Sequence, residues 1–453
     1  MIENLPAGLP PETPPAADLS APGAPPAAQP AGLHRSSLAL AILSGLGLLV
    51  ALLIAGGLFL LGLTGMAARG RAAGLASQTD ALFSIGWVSL LVAMLQLPAL
   101  ALSIRRLTRR PAPTALLGQA WLLATLGLVL MVPLVVLGQY LAHLSNEYSL
   151  LYLPPLQLLV IGLPVWWSLE IGRRGLDGGS AQREWGITSF STLVTMPVVV
   201  VLELLEVVFL GVLAFTWLAS QPQVAQEIQN LLQSFENGNI DPFALSQLVQ
   251  PYLHQPVFIF LVLAVAAVLI PLLEEAFKPL ALWFLAGRKL TLAQGFVGGL
   301  ICGAVFALLE SLFSLSPAAG SDWAGVVVGR MGTGLLHATC SGLVGWGLAA
   351  AWRRQKYLQL GGMYLLAVLM HGTWNTFGLL SGLIDLLDPV HFGVAYWMAT
   401  NGSYVLFAMV FLTLAILLYA NRYLRTHPDP AEPESISSGP PAYDPFANMG
   451  ATG

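Results

Sequence analysis

Long apolar runs separated by short polar segments occupy the chain from about residue 38 to residue 420. A helix needs about 20 apolar residues to cross the hydrocarbon core of a bilayer. The pattern therefore predicts an all-α fold, a polytopic membrane helix bundle with about ten transmembrane helices. The predicted spans are approximately 38–63, 81–104, 115–140, 150–170, 188–219, 256–286, 292–315, 324–351, 361–384 and 395–420.

The composition agrees with a membrane protein. Of the 453 residues, 56% are hydrophobic and only 9% are charged. Soluble proteins carry about 25% charged residues, so a chain of soluble domains is excluded. No basic stretch is available to neutralise phosphates, which excludes a nucleic-acid binder. Cys302 and Cys340 lie in apolar runs and are interpreted as small buried hydrophobic residues, not as a disulfide framework.

The distribution of Lys and Arg predicts the orientation by the positive-inside rule. With a cytoplasmic N-terminus, the cytoplasmic segments hold 15 of the 19 basic residues, and the opposite segments hold only Arg69 and Arg71. The remaining two, Lys278 and Arg330, lie within predicted spans. Both termini are therefore expected in the cytoplasm.

The segments between and around the spans divide the chain into regions. Both ends are rich in Pro and poor in large apolar residues, which is typical of disordered tails. The predicted regions are a tail at 1–36, five spans without a recognised motif at 37–219, an extracytoplasmic loop at 220–255, four spans with ionisable residues at 256–385, the last span at 386–425 and a second tail at 426–453.

Ionisable side chains are concentrated in spans six to nine. A charge at the bilayer centre costs about 2.5–3.5 kcal/mol on insertion scales, so each such residue is a functional hypothesis. They are Glu274, Glu275 and Lys278 in span six, Glu310 in span seven, Arg330 and His337 in span eight, and His371 with Asn375 in span nine. At about 1.5 Å rise per residue, the carboxylates and imidazoles lie at similar depth, so we expect them to converge on one polar pocket.

Backbone features of the same spans favour such a pocket. Pro271, beside the paired glutamates, removes a helical hydrogen bond and frees a carbonyl one turn earlier. Glycines in spans seven and eight, among them Gly299 and Gly303, allow close approach of the two helices.

Four elements in this order resemble the PrsW family of intramembrane proteases, which is similar in turn to the type II CAAX prenyl proteases. The elements are Glu274-Glu275-x-x-Lys278, Phe306-x-x-x-Glu310, His337 and His371-x-x-x-Asn375. The second element ends in Glu310 where the CAAX enzymes have His, which favours the PrsW side. The resemblance implies peptide-bond hydrolysis in or near the bilayer, with a membrane protein such as an anti-sigma factor as substrate, in a bacterial plasma (inner) membrane.

The residues suggest a role for each element. Glu274 or Glu275 activates a water as general base. His337, His371 and Asn375 donate hydrogen bonds to the oxyanion that forms when water attacks a peptide carbonyl. Glu310 and Lys278 tune the site.

Structural interpretations stay open beside these roles. In a purely structural interpretation, Glu274 and Glu275 form an ion pair with Lys278. In the same interpretation, Glu310 only orients a histidine. Arg330 is expected to snorkel or to pair with Asp322 or Glu310 rather than to do chemistry. Glu203 and Glu206 in span five either line the same cavity or pair with Arg330, and they are not predicted to be catalytic.

A zinc-dependent mechanism is the main chemical alternative. Glu310, His337 and His371 would hold Zn²⁺, with a second glutamate as base. No His-Glu-x-x-His motif occurs, and the ligands would come from separate helices. We therefore favour a glutamate mechanism without a metal over a zinc-dependent mechanism, and no cofactor is assigned.

Two further classes of function compete with a protease. A proton-coupled transporter also uses buried Glu, His and Lys, but the first five spans hold no counterpart of the Glu-Glu segment, as an inverted repeat would require. A catalytically inactive scaffold that binds membrane segments differs from a protease in activity alone. The expected partners are a membrane protein or peptide substrate and the lipid bilayer.

Overall fold

The computed structural model describes most of the membrane region. The described residues are 32–68, 75–110, 119–144, 149–221, 255–286, 290–314, 323–387 and 389–429, with isolated positions between 224 and 252. The predicted tails lie outside them, apart from residues 32–36 and 426–429, and so does most of the predicted loop at 220–255.

The described part of the chain is helical and contains no strand. Its helices are α1 (Gly32–Ala68), α2 (Leu75–Leu107), α3 (Ala120–His143), α4 (Ser149–Gly172), α5 (Ala181–Phe190), α6 (Met196–Ala219), α7 (Pro256–Ala264), α8 (Ile270–Phe277), α9 (Leu280–Trp283), α10 (Leu292–Ser314), α11 (Trp323–Arg354), α12 (Tyr357–Gly382), α13 (Gly393–Thr400) and α14 (Gly402–Thr426).

Nine helical stretches within the described residues are long and apolar enough to cross a membrane. They correspond to nine of the ten predicted spans. The other predicted span, 361–384, is the 26-residue helix α12, which is not among the nine. The predicted all-α polytopic bundle is confirmed, and the protein is an integral multi-pass membrane protein.

Two spans are interrupted by π-helical segments. Ser191–Thr195 joins α5 to α6, and Val265–Leu269 joins α7 to α8. In both cases a proline follows, Pro197 or Pro271, within the first two positions of the next helix. Because proline has no N–H and its ring clashes with the preceding turn, the backbone widens there.

The helices α10 and α11 form the centre of the bundle. Their most apolar windows are 83% and 100% buried, whereas α1, α3 and α6 expose apolar side chains on their outer surfaces. Gly295, Gly299 and Gly303 follow one face of α10, where a Cβ on Gly299 would lie 2.1 Å from the Ser341 carbonyl oxygen and a Cβ on Gly303 would lie 2.2 Å from that of His337. The close approach expected from the glycines is therefore observed.

Gly303→Val is expected to lower the free energy of unfolding by about 1–3 kcal/mol or more, because the new side chain collides with backbone that cannot move aside. The collision is with the turn that carries His337. Thermal unfolding in detergent measures the change. Gly362→Val is the control, since a Cβ at Gly362 has nothing within 4 Å. Equal melting temperatures for the two variants would contradict the packing argument.

Candidate active site

The Lys278 ammonium lies at the centre of the polar cluster. Its side chain is fully buried, and Nζ lies 2.6 Å from Glu274 Oε2 and 2.8 Å from Glu275 Oε1. Across the helix interface, Nζ donates to His337 Nδ1 at 2.7 Å. An ammonium has three hydrogens to donate, and three acceptors from two spans lie within reach of them. Lys278 thus joins α8 to α11.

His337 has partners at both ring nitrogens. Because Nδ1 accepts from Lys278, the proton is assigned to Nε2, which donates to Glu310 Oε2 at 3.0 Å. The other Glu310 oxygen lies 2.8 Å from the guanidinium of Arg330. Phe306 packs edge-on against the imidazole with ring centroids 5.4 Å apart, and Lys278 Nζ lies 4.4 Å from the centre of the same phenyl ring. His337 is therefore held on all sides.

His371 approaches the glutamate pair from α12. Its Nδ1 donates to Glu275 Oε1 at 2.9 Å, which assigns the proton to Nδ1. Its Nε2 lies 3.8 Å from Glu274 Oε2, too far for a direct hydrogen bond. The two imidazole rings meet edge-on with centroids 4.8 Å apart.

The π-helical segment before Pro271 determines how α12 packs. Asn375 donates from Nδ2 to the Ala266 carbonyl oxygen at 2.9 Å. One turn away, Gly372 lies so close to the next freed carbonyl that a Cβ there would be 2.2 Å from the Ala267 oxygen. Helix α12 therefore packs against the carbonyls that the widened turn exposes. This contact brings His371 close to the glutamates.

The structure brings most of the predicted site residues together. Glu274, Glu275, Lys278, Glu310, His337 and His371 form one connected network, with Phe306 and Arg330 in contact with it. Asn375 is engaged with backbone of span six, so its predicted role at an oxyanion stays a prediction. Of the two partners expected for Arg330, the structure shows Glu310, and Asp322 lies outside the described residues.

Span five contributes a further carboxyl group, Glu203, for which the sequence allowed two alternative roles. Arg330 pairs with Glu310, and Glu203 lies half-buried on α6. The two alternatives for Glu203 stay predictions. The sequence signal was present, since Glu203 and Glu206 are acids within an otherwise apolar span.

The donor set has the composition of a metal site. One donor atom from each of Glu274, Glu275, His337 and His371 lies within 4.8 Å of the others, and all four residues are buried. The ammonium of Lys278, however, occupies the space between three of them at hydrogen-bonding distances. Zinc would need the same lone pairs at about 2.0–2.2 Å, in contact with that charge. In this arrangement the residues do not fit a metal ion.

The fold and the site together define a class, a polytopic helical membrane protein with a buried glutamate–lysine–histidine centre. Residues 240–416 match the family model described as PrsW family intramembrane metalloprotease. The match confirms, over this part of the chain, the resemblance predicted from the motifs. No curated protein and no solved structure matches the chain significantly.

Proposed function

We infer that the protein hydrolyses a peptide bond of a membrane protein, in or near the bilayer, with Glu274 as general base. The observation that carries this proposal is the asymmetry of the glutamate pair. Glu275 is fully buried, and its Oε1 is shared by Lys278 and His371. Glu274 keeps 5% of its surface exposed and faces His371 Nε2 across 3.8 Å. Glu274 is thus the more accessible carboxylate of the pair and the one with fewer close partners.

In this mechanism a water beside Glu274 donates one hydrogen to the carboxylate and one to His371 Nε2. The water oxygen attacks the carbonyl carbon of the peptide, and Glu274 takes the proton. When the carbon–nitrogen bond breaks, the same proton passes from Glu274 to the leaving nitrogen. The products are a new carboxylic acid and a new amine, and no co-reactant besides water is needed.

The other residues prepare these steps. The Lys278 ammonium fixes the position of the Glu274 carboxylate, because Nζ and Oε2 lie 2.6 Å apart. His371 Nε2 is the acceptor beside Glu274, and we assign to it the orientation of the attacking water. His337 is engaged at both nitrogens and positions Lys278 and Glu310.

The proposed test compares the membrane proteomes of cells that contain the intact protein or Glu274→Gln. We expect at least one membrane protein, with an anti-sigma factor as the candidate class, to be shortened only in cells with the intact protein. Identical proteomes would contradict the proposal.

We further propose that the protein lies in a bacterial inner membrane with both termini in the cytoplasm. The support is the 15-to-2 distribution of basic residues. A cysteine introduced in either tail should react with an impermeant thiol reagent only after the cells are permeabilised. The native Cys302 and Cys340 are buried and give a low background. Labelling of a tail in intact cells would contradict this orientation.

A further inference from the structure

A cavity of about 290 Å³ lies between the ends of four spans and shares no lining residue with the polar cluster of the candidate active site. Its walls are the N-terminal part of α1, the last turn of α2, the first turns of α5, and α9 with the residues that follow it. These elements are the starts of spans one and five and the ends of spans two and six. The cavity therefore lies where a bilayer changes from headgroups to hydrocarbon.

Two arginines, Arg106 and Arg183, line this cavity. Arg106 donates from Nη1 to Gln182 Oε1 at 2.7 Å, and Gln182 donates from Nε2 to Ser37 Oγ at 2.9 Å. These hydrogen bonds hold the Arg106 guanidinium between α1 and α5. Gly179, at a φ of 96°, lies against the other guanidinium, where a Cβ would be 2.7 Å from Arg183 Nη1. Both cations thus have defined positions at the end of the bundle.

The apolar part of the cavity lies deeper along the same helices. In α1, Leu40 follows Ser36 by one helical turn, and both line the cavity. In α5, Phe190 follows Arg183 by about two turns. The Phe190 ring meets the ring of Phe284 with centroids 5.0 Å apart, and Phe284 is 71% exposed on the bundle surface. The cavity therefore changes from cationic at the end of the spans to apolar toward the lipid-facing side.

The charge of the lining favours an anion. No Asp or Glu is among the described residues that line the cavity. Glu184, the acid next to Arg183 in the sequence, is engaged by Arg173 at 2.9 Å. Guanidinium groups bind phosphate through charge-assisted hydrogen bonds, and basic pockets between membrane helices bind anionic lipid headgroups. An amphiphile with an anionic head and an apolar tail complements both parts of the cavity.

We propose that this cavity binds a phospholipid with an anionic headgroup. The lipid phosphate contacts Arg106 and Arg183, and the first part of an acyl chain packs against Phe190 and Phe284. The rest of the chain follows the exposed surface beside Phe284. Because the cavity joins α5 to the residues after α8, the bound lipid stabilises the contact between spans five and six. The proposal concerns binding and is independent of peptide hydrolysis.

The test measures the melting temperature of the full-length protein in a neutral detergent with added phosphatidylglycerol, phosphatidylcholine or glycerol phosphate. At a hundredfold excess over Kd, phosphatidylglycerol should raise the melting temperature by about 3–5 °C, because it binds the folded state. Phosphatidylcholine has no net charge and should give less than half of this shift. Glycerol phosphate has no acyl chain and should give none. Equal shifts with the two lipids overturn the anion preference, and an equal shift with glycerol phosphate overturns the lipid assignment in favour of a free phosphate site.

Arginine variants locate the lipid in the cavity. The double variant Arg106→Gln, Arg183→Gln should lose most of the phosphatidylglycerol shift. The matched control is the double variant Arg110→Gln, Arg422→Gln, which removes two exposed arginines outside the cavity and should keep the shift.

Each shift is measured within one variant, so a change in basal stability does not affect the comparison. The double variant Arg106→Lys, Arg183→Lys keeps both charges and should keep at least half of the shift. A full shift in the cavity Gln variant, or an equal loss in the control variant, overturns the proposed site.

Discussion

Glu274→Gln is expected to reduce peptide-bond hydrolysis by about 10²–10⁴-fold, the usual contribution of a general base. Gln has nearly the shape of Glu and still occupies the space between Lys278 and His371, but it cannot accept the proton of the attacking water. Binding of substrate should therefore survive while kcat collapses. Cleavage of a fluorogenic transmembrane peptide, selected by screening for cleavage by the intact protein, measures both quantities with purified protein in detergent.

Two variants serve as controls for this result. Glu170→Gln changes another buried glutamate, which contacts Arg173 at the end of α4, and should leave kcat unchanged. Glu275→Gln removes an acceptor shared by Lys278 and His371, so its loss of activity should come with a lower melting temperature. Activity of Glu274→Gln close to that of the intact protein would end the assignment of the base.

Lys278→Met is expected to convert the cluster into a metal-binding site. Removal of the ammonium leaves two buried carboxylates without their cation, which should cost about 3–5 kcal/mol of stability. The vacated space is surrounded by donors of Glu274, Glu275, His337 and His371 within 4.8 Å of one another. Zn²⁺ should therefore bind this variant and restore about 2.7 kcal/mol at a hundredfold excess over Kd. Melting temperature with Zn²⁺ or a chelator, and metal content of the purified protein, measure the effect.

Arg173→Met is the matched control for the metal experiment. Arg173 also lies between two glutamates, 2.5 Å from Glu170 and 2.9 Å from Glu184, but no histidine belongs to that group of contacts. Carboxylates alone are poor ligands for zinc, so Zn²⁺ should not rescue this variant. For the intact protein, neither Zn²⁺ nor a chelator should change activity or melting temperature. Stoichiometric zinc in the intact protein, lost to a chelator together with activity, would contradict the role given to Lys278.

The sequence by itself determined the membrane fold and most members of the polar cluster. Membrane insertion depends on the summed hydrophobicity of a local stretch, so the described residues of all ten predicted spans are mainly helical in the structure. The motif residues also had to meet at similar depth, because depth follows from the helical rise along each span. The same arithmetic predicts that Glu274, His337 and His371 lie together.

Only the tertiary structure decided which of the polar groups at this depth pair with one another. Most spans are apolar on every side, so the sequence carries little information about how each helix is rotated toward its neighbours. Packing decided that Lys278 fills the space between the metal-type donors and that Asn375 binds the carbonyl of Ala266. These outcomes depend on rotations set by close contacts such as Gly303 against His337 and Gly372 against Ala267, which exist only when the helices are assembled.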